Sequence, residues 1–333
     1  MAALLRASFR AVLAGTTVLL ASASGCASAE EEDADASSDE IVRRVPCGDL
    51  PATWLETTRL AADDGNVQLR VGQARPAGPV RGDILFFHGF SDRLDNHRPL
   101  FEAWTARGFR VVSFEYPSHG ETCGKSLAFY LYPSLARFAA DVERATREDE
   151  DRPLLLAGWS MGGLLATRLL QGLEPLDRPV RGAVLFTPGV AVQLFLDRVR
   201  RETLTRNEHP PHTGPITPTR PALYPIAANL LVHASRARAE VLPAGVPVLT
   251  ITGGDEEDVY AKSAEVRSWV GDQRRRGAST HGLDCPGGFH EIDNEPAPMG
   301  PSVRSAAATF AEDVLTVGPR EPDGYSAGPC TGY

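Results

Sequence analysis

The chain has 333 residues, a hydrophobic share of 42% and a formal net charge of −9. That length holds one large α/β domain with an insertion or two small domains, and the apolar content suffices for a sizeable core. The acidic balance speaks against a nucleic-acid binder, which needs a basic patch, and much of it is local, in the run of residues 30–40.

Residues 1–25 read as a targeting segment. Arg6 and Arg10 precede an apolar run, residues 11–21, that is too short and interrupted for a stable membrane span. Ala23-Ser-Gly-Cys26 resembles a bacterial lipobox, which makes Cys26 the lipidated first residue of an exported, membrane-anchored protein. Ala27-Ser-Ala29 offers an ordinary signal-peptidase site as the alternative, for a secreted or periplasmic protein. Residues 26–45 follow as a solvated acidic tether. With Cys26 set aside, Cys47, Cys123, Cys285 and Cys330 form an even set that suits an oxidising compartment and allows three pairings. The expected pairs are Cys123–Cys285, on loops at one edge of a sheet, and Cys47–Cys330, at the two ends of the folded region.

Residues 54–62 and 66–74 alternate in polarity around Asp63-Asp-Gly65, a hairpin signal. The unbroken apolar run Asp83-Ile-Leu-Phe-Phe-His88 reads as a strand covered on both faces. A helix ending at Gly108, a strand over 109–117 and a helix over 135–145 follow. Then come a buried strand, the turn Gly158-Trp-Ser160-Met-Gly162 and another helix. Further strands are expected at 182–187, 246–252 and 279–283, with helices around 264–270 and 302–317. Alternation of this kind predicts an α/β fold: a mostly parallel sheet with helices on both faces and function at the carboxyl ends of the strands. Residues 188–243 break the pattern with helical pieces at 192–199 and 227–240 around a Pro-rich loop, and read as an inserted cap. The expected organisation is core 46–187, cap 188–243, core 244–319 and a tail, 320–333.

Ser160 is the candidate nucleophile, because a serine on a tight strand-to-helix turn is pushed out of the sheet. The pentapeptide alone is weak evidence: Gly324-Tyr-Ser326-Ala-Gly328 in the tail also fits it, with no strand or helix expected around it. A serine hydroxyl needs a histidine base, and that base needs an acid to hold its tautomer. The acid should follow the strand after the cap, and the histidine should come later. Asp255, directly after Gly253-Gly254, is the expected acid, with Asp258 the alternative; Glu256 and Glu257 read as solvated charges. His290, on a loop after the last strand, is the expected base rather than His281, which lies in or near that strand. The backbone N–H groups of Phe90 and Met161 are the expected oxyanion-hole donors, and His88 reads as a support for the Phe90 loop. His209 and His212 read as surface residues rather than a metal pair, and no metal or other cofactor is expected.

His88-Gly89-Phe-Ser-Asp92, Ser118-His119-Gly120, Gly158-Trp-Ser160-Met-Gly-Gly163, Gly253-Gly-Asp255 and His290-Glu-Ile-Asp-Asn294-Glu295 fall in one order. Together they resemble the monoacylglycerol lipase and lysophospholipase branch of the serine α/β-hydrolases. The resemblance implies the triad Ser160, Asp255 and His290, an oxyanion hole at Phe90 and Met161, and an acyl chain admitted under the cap. It implies a carboxylic ester substrate, lipid-like. No protein partner is expected. The chain departs from the family's acid-x-x-Gly-His-Gly-x-Ser loop, reading Glu115-Tyr-Pro-Ser118-His119-Gly120-Glu-Thr122 instead. An aminopeptidase on the same scaffold and a non-catalytic surface lipoprotein are the rival readings; Arg198, Arg200, Arg201 and Arg206 in the cap weigh against a pocket for a free amine.

Overall fold

The hairpin forms where alternation and turn chemistry place it. Strands β1 (Glu56–Ala62) and β2 (Val67–Ala74) pair antiparallel with Ala62 opposite Val67. The computed structural model describes residues 45–125, 131–192, 223–258, 260–317 and 322–333. The targeting segment, Cys26, the acidic tether and the cap's Pro-rich loop and arginines lie outside the described residues.

The apolar runs become β3 (Gly82–Phe87), β4 (Phe109–Phe114), β6 (Leu154–Trp159), β7 (Val180–Phe186), β8 (Val248–Thr252) and β9 (Thr280–Asp284). With the hairpin strands and the two-residue strands β5 (Cys123–Gly124) and β10 (Thr331–Gly332), they make a 10-stranded sheet. Its order is β1-β2-β4-β3-β6-β7-β8-β9-β10, with β5 beside β2. The central strands from β4 to β9 run parallel, and the outer pairings are antiparallel.

The continuous apolar runs have a simple cause: both faces of the sheet are covered. Ile84 and Phe86 point into a core shared with helices α1 (Arg98–Thr105) and α6 (Met299–Glu312). Leu85, Phe87, Leu154 and Leu156 point into the opposite core, with α2 (Tyr132–Thr146), α3 (Met161–Leu170) and α5 (Ser263–Arg275). Each such Leu or Phe contributes ~1.5–3 kcal/mol relative to leaving it in water. Helix α4 (Leu223–Ala239) is the described part of the predicted cap together with residues 188–192, and its Ala234 and Ala237 join the second core.

Two expectations are corrected here. The disulfides are Cys47–Cys123 and Cys285–Cys330, not Cys123–Cys285 and Cys47–Cys330. Cys123 lies in β5 beside β2, whereas Cys285 follows β9, six strand spacings away, about 29 Å at ~4.8 Å each. No disulfide spans that. Cys47 is instead brought to Cys123 by a backbone bridge between Val45 and Gly124. The tail also has structure. A 3-10 turn, Pro322–Tyr325, buries Tyr325 against Phe310, and β10 pairs with β9 at the edge of the sheet. The second pentapeptide sits in this return, with no strand-to-helix turn; Ser326 Oγ accepts the Gly332 N–H at 2.7 Å.

Candidate active site

The elbow is built by close approach of backbones. A Cβ at Gly158 would sit 2.4 Å from the Gly162 carbonyl oxygen, and one at Gly162 only 2.1 Å from that of Phe87. Only with hydrogen at both places can α3 leave β6 so steeply and pack against the end of β3. Ser160 between them takes φ 54° and ψ −115°, a conformation that costs a non-glycine residue ~1–3 kcal/mol. The surroundings hold it there: Ser160 N–H donates to Phe186 O at 3.0 Å, and Ser160 O accepts from Gly189 N–H at 2.8 Å. The phenol of Tyr132 donates to Met161 O at 3.1 Å and its ring stacks on His233 of α4, so the cap-side helix braces the elbow helix.

His290 reaches the elbow from the loop after β9. Its Nε2 lies 2.8 Å from Ser160 Oγ and its Nδ1 lies 2.9 Å from Asp258 Oδ1. The line therefore reads Ser160 O–H to Nε2, then Nδ1–H to carboxylate. The backbone of His290 is clamped from below: its carbonyl accepts the Trp159 indole N–H and the Thr187 hydroxyl, both at 2.7 Å. Glu295 Oε1 accepts the Phe289 N–H at 2.9 Å and fixes the residue before it.

The acid in this line is Asp258 and not Asp255, the expected residue. After β8 the chain is tied to the histidine loop by Gly254 N–H to Gly288 O, then makes one turn closed by Asp258 N–H to Gly254 O. That turn carries residues 255–257 along the surface before Asp258 arrives beneath His290. The side chain of Asp258 is 0% exposed, whereas that of Asp255 is 53% exposed and pairs with Arg267 at 2.6 Å. Asp258 Oδ1 also accepts the N–H groups of Ala261 (3.0 Å) and Tyr260 (3.2 Å), which hold the carboxylate aimed at the imidazole. His281 is excluded from the site, packed in β9 between Phe310 and Tyr325.

Met161 opens α3, so its N–H belongs to the group that has no partner within the helix. Phe90 follows β3 in a turn whose every neighbour is pinned. His88 Nε2 accepts the Tyr116 N–H at 3.2 Å, which leaves the proton on Nδ1 to donate to Gly89 O at 2.7 Å. His119 Nε2 accepts the Ser91 N–H at 3.0 Å, and its Nδ1–H donates to Pro117 O at 3.0 Å. Burial pushes His88 down to about 3, with His119 nearby adding to the effect, and burial pushes His119 down to about 4. Both rings are neutral at ordinary pH and act as fixed linkers. His88 thus has the supporting place expected of it. His119 does the second half of that work and was legible only as part of the Ser118-His119-Gly120 stretch.

Sequence reasoning missed a buried polar cluster behind this turn. His97 Nε2 lies 2.7 Å from Asp92 Oδ2 and its Nδ1 lies 2.9 Å from Asp293 Oδ2. Asp92 Oδ2 also accepts the Gly89 N–H at 3.3 Å. Asn294 Nδ2 donates to Asn96 O at 2.9 Å and to Glu291 Oε1 at 2.8 Å. No spacing rule announces such a cluster, because its members come from two loops almost 200 residues apart, as the separation of 196 between His97 and Asp293 states.

Residues 78–210, less than half of the chain, match the Hydrolase_4 family, described as serine aminopeptidase S33. No curated protein sequence matches the chain. Among solved structures it is similar to a thermostable carboxyl esterase from Bacillus coagulans, with TM-score 0.61 and 16% identity over 80% of this chain and 100% of that one. It is also similar to the monoacylglycerol lipase of Paleococcus ferrophilus, with TM-score 0.57 and 19% identity over 72% of this chain and 97% of that one. The monoglyceride lipase of Saccharomyces cerevisiae, solved with a substrate analogue, gives TM-score 0.57 and 16% identity over 78% of this chain and 96% of that one. At such identities the structures speak for the fold, and the family match covers the stretch that holds the Ser160 elbow. Fold and family match agree with the resemblance read from the motifs: the chain has the α/β-hydrolase fold.

Proposed function

We propose that the protein cleaves carboxylic esters through an acyl-enzyme on Ser160. The observation that carries this reading is the unbroken hydrogen-bonded line from Ser160 Oγ through His290 to Asp258 at a strained elbow. Ser160 Oγ attacks the ester carbonyl as His290 Nε2 takes its proton, and Asp258 stabilises the imidazolium that forms. The carbonyl oxygen becomes an oxyanion, which accepts hydrogen bonds from the Phe90 and Met161 N–H groups. Collapse of the tetrahedral intermediate breaks the C–O bond, and His290 hands its proton to the departing alcohol. Water then attacks the acyl-enzyme by the same route and releases the acid.

A lipid-like ester, a monoacylglycerol or lysophospholipid, is the proposed substrate class. It is supported by the motif resemblance. Export and lipid anchoring at Cys26 belong to the same proposal, supported by the two disulfides, which suit an oxidising compartment; mass spectrometry of the membrane-extracted protein reads the acylation of Cys26 directly.

The mature protein is expected to hydrolyse p-nitrophenyl esters, and Ser160→Ala to lower kcat by at least ~10⁴-fold with the fold retained. A Ser160→Ala protein that keeps its turnover overturns the reading. The family description favours one rival, an aminopeptidase. Faster turnover of aminoacyl p-nitroanilides than of the esters would reassign the substrate without touching the triad.

A further inference from the structure

The turn that presents the Phe90 N–H and the loop that presents His290 leave the sheet from β3 and β9, which are four strand spacings apart. The sheet fixes the roots of both, and Trp159 and Thr187 at the ends of β6 and β7 hold the His290 carbonyl, but neither reaches the Phe90 turn through a hydrogen bond described above. Catalysis of the proposed kind does depend on it, because displacing a reacting group by 1 Å costs on the order of 100-fold in rate. The two loops are joined behind the site by the cluster around His97. Asp92 Oδ2 holds the Gly89 N–H and His97 Nε2 together, while His97 Nδ1 reaches Asp293, three residues after His290. A second link, Asn294 Nδ2–H to Asn96 O, runs beside the first.

Both nitrogens of His97 face carboxylate oxygens, which can only accept, so both carry protons and the ring is an imidazolium. Burial opposes that charge, but Asp92 and Asp293 outweigh it and hold the ring well above the usual histidine value. The same ring brings Asp92 down to about 2 in spite of its burial. Glu291, the third acid facing the cluster, is pushed well above the carboxylate range by burial and by Asp92, so it stays neutral and adds no unbalanced charge. His97 also packs at a tilt on Phe86 and on Trp159, the residue whose indole clamps the His290 carbonyl. Asp92, His97 and Glu291 bring possible ligand atoms within 4.8 Å of one another; the hydrogen bonds that His97 gives to two carboxylates describe an ion pair rather than a ligand set.

We propose that His97, bridging Asp92 and Asp293, is a positioning residue that sets the oxyanion-hole turn against the loop carrying His290. The proposal rests on the ester-hydrolase reading above. Two well-separated halves of the site are then joined by a directional charged link, beside the neutral one from Asn294 to Asn96.

The test uses the purified mature protein, p-nitrophenyl butyrate, and a trifluoromethyl ketone that forms a tetrahedral adduct with the serine. His97→Gln and Asp293→Ala are expected to lower kcat by ~10–100-fold with KM changed less than about threefold. Affinity for the ketone should fall by the same factor as kcat/KM, because both report the oxyanion site. Asp293→Asn, which keeps an acceptor for Nδ1–H, should recover most of the loss. If His97→Gln does not fold, the two Asp293 variants decide. Folded Asp293→Ala protein with unchanged kcat and ketone affinity overturns the proposal, including when its melting temperature alone has dropped. Loss of activity on chelation, restored by a divalent cation, overturns it too by assigning the cluster to a metal. Neither result touches the parent reading, which stands or falls with Ser160→Ala.

Discussion

Asp255 and Asp258 are three residues apart and chemically identical, yet only one lies beneath His290. Their difference is one of solvent. Asp258 has lost its water and is held by two backbone N–H groups and the imidazole, whereas Asp255 keeps much of its water and an arginine partner. A carboxylate in the first setting orients the ring and steadies its positive charge; one in the second would be screened. Asp258→Asn is therefore expected to lower kcat by about 10³–10⁴-fold, since an amide can donate to Nδ1 and stabilise the wrong tautomer. Asp255→Asn should stay within about threefold of the unaltered protein. Steady-state kinetics on p-nitrophenyl esters separates the two, and equal losses would mean that the acid has been misassigned. His88 and His119 show the opposite use of a histidine. Burial without a carboxylate partner keeps each neutral, and a neutral ring in one tautomer can receive one N–H and donate to one carbonyl.

Among the elements, the pair β3 and α3 decides the site's shape. The strand ends in the turn carrying Phe90, and the helix begins with Met161, so their closeness sets how far apart these two residues lie. Gly162 is what allows that closeness. A methyl group there would meet Phe87 O at 2.1 Å and His88 O at 2.5 Å, both backbone atoms that cannot rotate away. Gly162→Ala is expected to cost ~1–3 kcal/mol of stability through overpacking, and to reduce kcat because β3 must shift. Urea denaturation alongside kinetics measures both; a variant with unchanged midpoint and rate would show that the approach is not constrained. The elbow's pattern was the easiest thing to read along the chain and the least specific. Its twin at Ser326 fits the same pattern and has none of the architecture, because the tail's return strand offers no helix to follow the serine. Strand alternation with helices was equally legible, since continuous apolar runs such as residues 84–87 arise where both faces are covered.

At the level of the whole molecule, the two disulfides close the two outer sides of the sheet rather than bridging across it. Cys47–Cys123 fastens the incoming chain beside β2, and Cys285–Cys330 ties the last residues to the root of the His290 loop. The second closes 45 residues of sequence, for which the chain-entropy estimate is about 4 kcal/mol. Replacing both Cys285 and Cys330 by Ser should lower stability by ~2–4 kcal/mol and remove the difference between oxidising and reducing buffer at that pair. Denaturant midpoints in the two buffers test this; no change would mean the tail is held by β10 pairing and Tyr325 alone.

By itself the sequence determined the class of fold, the elbow that holds Ser160 and the loop that brings His290 to it, and the turn after β3 that carries Phe90. Each of those depends on local patterns: apolar periodicity, glycines around a serine, a histidine on a loop after a strand. Tertiary structure decided which aspartate serves His290, which cysteines meet, that the tail folds back as an edge strand, and that His97 links two loops. Those outcomes depend on distances between segments far apart in the chain, set by strand order and by which groups lose their water. Residue identity alone carries no record of either.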